Sequence, residues 1–203
     1  MNLLREYIRE LLTESIDPKI MSMIDKAEKA RWKVRLFPDH VIIGPPAEIE
    51  DDYGRGKVEW GSAQGGNSYE ADFGNCSGAM MVGGSYADKG LGPLLYDVAI
   101  EATSGLMADR MGVSDEAENV WNKYMNSRPD IEAVQLDVGK DYNLPQLTPD
   151  NESDDCDQAV PVARMRYYGV DWSDSSLSKM YRKKGGGTPV MDELRRRGML
   201  EER

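Results

Sequence analysis

The most constraining stretch of this 203-residue chain is Cys76–Thr103, CSGAMMVGGSYADKGLGPLLYDVAIEAT. Its apolar run, Ala79–Val82, is bounded by glycines at both ends and predicts a buried strand within Cys76–Gly83. Pro93 then stands in the first turn of a helix through Thr103, where its fixed φ and missing N–H are tolerated. Leu94, Leu95, Val98 and Ala99 give that helix one apolar stripe. A buried strand that must turn at once into a helix points to an α/β or α+β fold. Gly90 and Gly92 in the turn let the backbone approach a ligand closely. The N–H groups of a helix start favour an anion, and Lys89 adds a positive charge. Either a diphosphate sits there, or the glycines simply close a tight strand-to-helix connection.

The rest of the chain reads as short elements around this one. Apolar residues at Leu3, Leu4, Tyr7, Ile8, Leu11 and Leu12 predict an amphipathic helix over the first fourteen residues. Pro18 starts a second helix towards Trp32. Lys33–Ile43 reads as two strands around a Pro38-Asp39 turn, and Lys57–Trp60 as another strand. Leu106–Asp109 is a short strand. Ser114 caps a helix with acids in its first turn, carrying Val120, Trp121 and Tyr124. Ile131–Leu136 is a strand, Pro145–Gln158 a polar acidic loop, and Pro189–Arg197 a last helix closed by Gly198. The expected organisation is an N-terminal amphipathic helix (residues 1–17), a domain with a mixed central sheet flanked by helices (18–144), and an acidic loop with an irregular basic extension (145–203).

Charge is unevenly distributed. Lys179–Arg203 holds eight Lys/Arg and four Asp/Glu, a local net of +4, within a chain whose total is -11. The other residues therefore carry -15. Such acidity disfavours duplex DNA, whose phosphates are bound mainly by Lys and Arg. The basic tail either forms a solvated face or docks on something acidic, its own body included. In the stretch from Asp171 onward, Trp172, Leu177, Met180 and Tyr181 read as residues packed onto the domain rather than stacked on bases. No apolar run reaches the roughly 18–20 residues that span a bilayer. The N-terminus does not read as a secretory leader, because charges interrupt each apolar pair. Two cysteines are too few for a disulfide scaffold, which places the chain in a reducing, cytoplasmic compartment. Cys76 then reads as a small buried hydrophobe, with His40 as the one histidine available to activate it. Cys156 lies among carboxylates that raise a thiol pKa. No cysteine or histidine spacing specifies a metal site, and the acidic loop lacks the glycine-centred spacing of a calcium loop.

The turn carries a resemblance. Ala87, Gly90 and Gly92 fall on motif A of the GNAT superfamily of N-acetyltransferases, Arg/Gln-x-x-Gly-x-Gly/Ala between the fourth strand and third helix. The glycines match, Ala87 replaces the Arg/Gln, and Pro93 removes one backbone donor. Gly105–Arg110, Val113–Ala117 and Val120–Tyr124 are similar to the fifth strand and fourth helix, particularly in GNAT-like sequences of tailed phages. The resemblance spans roughly residues 33–137. It implies acyl transfer from acetyl-CoA to an amine on a small molecule or protein. Asp88, Lys89, Gly90, Leu91, Gly92 and Leu94 would hold the cofactor. Tyr124 would protonate the departing thiolate; no motif fixes the general base, for which Asp109 or a bound water is the candidate. No metal is implied. The first fourteen residues also resemble head-targeting peptides of phage internal proteins, which are cut after Leu/Ile-x-Glu, as in Leu12-Thr13-Glu14. A second expectation follows: a phage-encoded, virion-packaged or binding protein that keeps the fold without acyl transfer, found in the host cytoplasm or the virion.

Overall fold

The computed structural model describes residues 16–64, 72–139, 144–169 and 171–203. The expected targeting helix and its cleavage site after Glu14 lie outside them. The fold is α+β, with mixed strands flanked by helices, as the sequence predicts. The residues gather into two compact units. One comprises the described residues through Glu59, Gly84–Ala102 and Lys183–Arg203; the other comprises Trp60–Gly83 and Thr103–Arg182.

In the first unit, Asp17 caps α1 (Pro18–Lys29) by accepting from the Lys19 amide at 2.8 Å, and Ile20, Ile24 and Ala27 form the buried face. β1 (Lys33–Leu36) and β2 (His40–Gly44) form the expected hairpin, in register from Lys33↔Gly44 to Leu36↔Val41. The short α2 (Pro46–Glu50) leads to β3 (Gly56–Ser62), antiparallel to β2. β4 (Met80–Ala87) lies beside β3 and runs into α3 (Gly92–Ala102), whose stripe Leu94, Leu95, Val98 and Ala99 is buried. Gly56 is a point of close approach: a Cβ there would lie 2.7 Å from Leu95 Cδ1 and 3.0 Å from Ala87 Cβ.

In the second unit, β5 (Leu106–Met107) pairs parallel with the first two residues of β4, Met80↔Leu106 and Met81↔Met107. Ser114 caps α4 (Asp115–Ser127) through its hydroxyl, which accepts from the Ala117 amide at 3.3 Å. β6 (Ile131–Gln135) follows, and β7 (Asp137–Val138) pairs with β8 (Asp155–Cys156). α5 (Ala159–Tyr168) ends at Gly169 in the left-handed region, φ +71°. β9 (Lys179–Lys183) lies between β5 and β6, antiparallel to β5 through Leu106↔Tyr181 and Met107↔Met180. Tyr181 is fully buried, stacks on Trp121 with centroids 5.2 Å apart, and donates its hydroxyl to Ser176 O at 2.7 Å. Trp172, Leu177, Met180 and Tyr181 are therefore packed residues, as expected, and Tyr181 belongs to the sheet itself.

Two local readings are corrected. Cys76–Gly78 is not strand but a 3₁₀ turn with Cys76 at φ +47° and Ser77 at φ +53°, and the strand begins at Met80. The cysteines are not free: Cys76 and Cys156, 80 residues apart in sequence, form a disulfide. It sits among Phe73, Met81, Met107, Leu136 and Met180 in the core of the second unit. The pairing depends on folding that no cysteine spacing reveals, and it removes the argument for a reducing compartment drawn from cysteine number. Among the described residues no helix is long and apolar enough to cross a membrane.

The C-terminal segment Lys183–Arg203 returns to the first unit as α6 (Pro189–Arg196) and β10 (Leu200–Glu202), the latter parallel to β1. Glu101, on α3, accepts from the amides of Val190 and Met191 at 3.1 and 2.8 Å, and Lys183 Nζ lies 3.5 Å from its carboxylate. Burial pushes this carboxyl up to about 7, against the two amides and Lys183, which favour its charge. The folded chain thus holds a proton that the unfolded chain releases above its ordinary value of 4.5. That contribution to stability is full below pH 4.5 and is lost as pH rises through about 7, and at most it is on the order of 3 kcal/mol. Urea midpoints measured from pH 4.5 to 8 should fall for the native chain, and Glu101→Gln should flatten the fall.

Candidate functional site

The strand–turn–helix of the first unit builds the turn that the sequence singles out. β4 ends at Ala87, and the Asp88 amide donates to Arg55 O at 2.7 Å. The Arg55 guanidinium lies 3.8 Å from the Asp88 carboxylate. Gly90 adopts φ +93°, a conformation open to glycine and strained for other residues, and nothing lies within 4 Å of where a Cβ would be. Leu91 donates its amide to Asp88 O at 3.0 Å, and the amides of Leu94 and Leu95 donate to Leu91 O at 3.1 and 3.3 Å. The Asp88, Leu91 and Leu94 amides, expected to face a ligand, therefore bond carbonyls of the chain. Lys89 and Gly90 are exposed at the turn, and Gly92 opens the helix. The first turn of α3 has no acidic residue to oppose its positive end.

Beside this turn, within the same unit, the end of β4 lines a cleft of 430 Å³. Lys57 stands in it between two carboxylates, bonding Asp52 Oδ2 at 2.7 Å and Glu59 Oε1 at 2.8 Å. His40 Nε2 meets the other oxygen of Asp52 at 3.1 Å, its Nδ1 meets Asp39 at 2.7 Å, and the Phe37 ring stacks on it at 4.2 Å. The hydrogen bond from Lys57 holds Asp52 below the usual carboxylate range, with burial opposing and the Lys57 and His40 charges adding. Burial works against the Lys57 charge, but its bonds to Asp52 and Glu59 outweigh that and raise its pKa. Gly84 lines the cleft beside Glu59, and a Cβ there would make an ordinary contact with Glu59 Oε2 at 3.4 Å. Tyr53 and Tyr86, 76% and 49% exposed, also line the cleft. Ser85 Oγ and Tyr96 Oη share a 3.1 Å hydrogen bond, and burial raises the Tyr96 pKa while that bond lowers it.

The two residues expected to perform proton transfer belong to the second unit. Tyr124 is only 2% exposed, packed against Trp121 and Tyr181, with the Arg128 guanidinium 5.3 Å from its ring centre. Asp109 is half-buried; desolvation raises its pKa, while bonds from the Met111 and Gly112 amides and the Arg110 charge oppose. Cys76 and Cys156 are joined to each other, and His40 is held by Asp39 and Asp52, so no cysteine–histidine pair forms.

Sequence reasoning found the turn and missed the cleft. One signal was present: the alternation Lys57-Val58-Glu59 puts both charged side chains on one face of a strand. Their meeting with Asp52 and the tyrosines comes from tertiary folding. Comparison with protein-family models, with curated proteins and with solved structures finds no match.

Replacing Lys57 by Met should let the Asp52 carboxyl return upward towards its ordinary value of 3.8. Carbon-detected NMR titration of that carboxyl is the measurement, and an unchanged titration would show that Lys57 does not set it.

Proposed function

We propose that the chain is an acyl-CoA-dependent N-acyltransferase of the GNAT type, with acetyl-CoA as acyl donor. The observation that carries this reading is the β4–turn–α3 segment: a strand ending at Ala87, glycine in the left-handed region at Gly90, and a helix start free of acidic residues. Such a turn suits the diphosphate of a coenzyme. Lys89, Gly90 and Gly92 are its contact residues. The parallel ladder of β4 with β5 stops after two residue pairs, while β4 continues to Ala87. That early end is consistent with the splayed strand pair beside which the family's acyl transfer takes place.

The acceptor is a cationic amine seated in the cleft. Asp51, Asp52 and Glu59 outnumber Lys57 there, and Tyr53 and Tyr86 offer aromatic faces that attract a cation. An amine must lose a proton before attacking a thioester carbonyl, and a base with a raised pKa suits that step near neutral pH. Asp109, whose pKa burial raises, is the candidate for that role. In the role the resemblance implies, Tyr124 would supply the proton that the departing thiolate needs. Acetyl-CoA, when bound, supplies the activated acyl group.

Titration calorimetry with acetyl-CoA tests the reading. Binding is expected for the native chain and should disappear in Gly90→Glu, whose carboxylate would stand where the diphosphate sits. Absence of heat at millimolar acetyl-CoA would refute the proposal. If binding is present, Tyr124→Phe should lower turnover while leaving coenzyme affinity unchanged.

A further inference from the structure

The disulfide of the second unit closes a backbone that is strained where it forms. Gly74, Cys76, Ser77 and Gly78 all have positive φ, at +96°, +47°, +53° and +73°. For the two glycines this is ordinary; for Cys76 and Ser77 it is unfavourable, because Cβ crowds the following carbonyl. The segment is tied mainly to residues 152–157, with a further bond from Gln64 Nε2 to Asn75 Oδ1 at 2.8 Å. Ser77 donates its amide to Ser153 O at 2.7 Å, Asn75 Nδ2 donates to Glu152 O at 3.0 Å, and Asp157 donates its amide to Phe73 O at 2.7 Å. Gly74 lies so close that a Cβ would be 2.7 Å from Asp155 O. The one covalent tie is Cys76–Cys156.

On the outside of this junction is a cleft of 270 Å³ lined by Asp72, Gly74, Asp155, Cys156 and Asp157, among others. The sulfur atoms themselves are buried, Cys76 at 0% and Cys156 at 1% exposure. A thiol reaches them through an opening of this junction rather than by direct contact with the resting surface.

We propose that the Cys76–Cys156 disulfide is a redox latch. Oxidised, it holds residues 74–78 in the left-handed turn and ties them to residues 152–157; reduced, it lets the turn relax and the two segments separate. The chemistry is two-electron exchange with an external dithiol. A thiolate of the reductant attacks one protein sulfur, the S–S bond breaks, and the other protein sulfur leaves as a thiolate that takes up a proton. The reductant's second thiol then displaces the first protein sulfur, which is likewise protonated, and the reductant ends as a disulfide. With the bond gone, the positive φ values at Cys76 and Ser77 are held by hydrogen bonds that also compete with water.

The test compares the full chain with and without dithiothreitol by hydrogen exchange read by mass spectrometry, with thiols counted in parallel. Two thiols should appear on reduction and none before. Exchange in peptides covering 74–78 and 152–157 should accelerate by roughly tenfold or more, while α3 and α6 stay protected. Reoxidation should restore protection. Ser77→Gly, which removes the side chain from a left-handed position, should fold with the disulfide intact and show a smaller acceleration on reduction. Free thiols before reduction would overturn the latch, as would unchanged exchange with both thiols counted. Loss of protection across the whole chain would also overturn it, since the bond would then be a general staple. An equal acceleration in Ser77→Gly would remove backbone strain as its cause.

Discussion

A buried carboxylate organises the first unit. Glu101 receives the first two amides of α6 and faces Lys183, so one side chain on α3 satisfies a helix start and a buried ammonium together. Removing it would leave several buried polar groups without their acceptor, which costs more than the bonds themselves contribute. α3 is also the helix that begins at the candidate coenzyme turn. Its first turn carries no acidic residue, while its last turn anchors the C-terminal segment.

The same segment explains where the basic charge goes. Arg197 is bonded to Asp25, Glu28 and Glu193, Arg195 to Asp192 and Glu202, and Arg196 to Glu193. Arg35, nearly buried on β1, joins Glu201 at 2.8 Å and the Ile49 carbonyl at 2.9 Å. Arg197 and Lys183 thus reach carboxylates of α1 and α3, while Arg195 and Arg196 pair within the tail itself. Each guanidinium of α6 and its C-terminal cap therefore has a carboxylate partner.

Local signals were legible in the sequence, and partners distant along the chain were not. Pro18 and Pro93 marked helix starts, Ser114 marked a cap, and Gly198 followed the last helix, because each acts through backbone conformation within a few residues. Gly90 was legible for the same reason. The Cys76–Gly78 turn was misread because its apolar flank looked like strand, whereas its conformation is imposed by residues 152–157. The extension from residue 145 contains more regular structure than its polar composition revealed: β9 lies between β5 and β6 because Met180 and Tyr181 have an apolar place there. Of the candidate site, the turn could be read from one run of residues. The cleft could not, since it is assembled from residues 51–53, 57–59 and 84–86.

β10 has one more consequence. By pairing with β1 from Val34↔Leu200 to Leu36↔Glu202, three residues near the chain end cover what would otherwise be a bare row of backbone donors and acceptors. A nick or truncation there would do more than shorten the molecule. It would move the edge of the sheet from β10 to β1, with Arg35 deprived of Glu201 and the backbone groups of β1 left open to pairing with other chains.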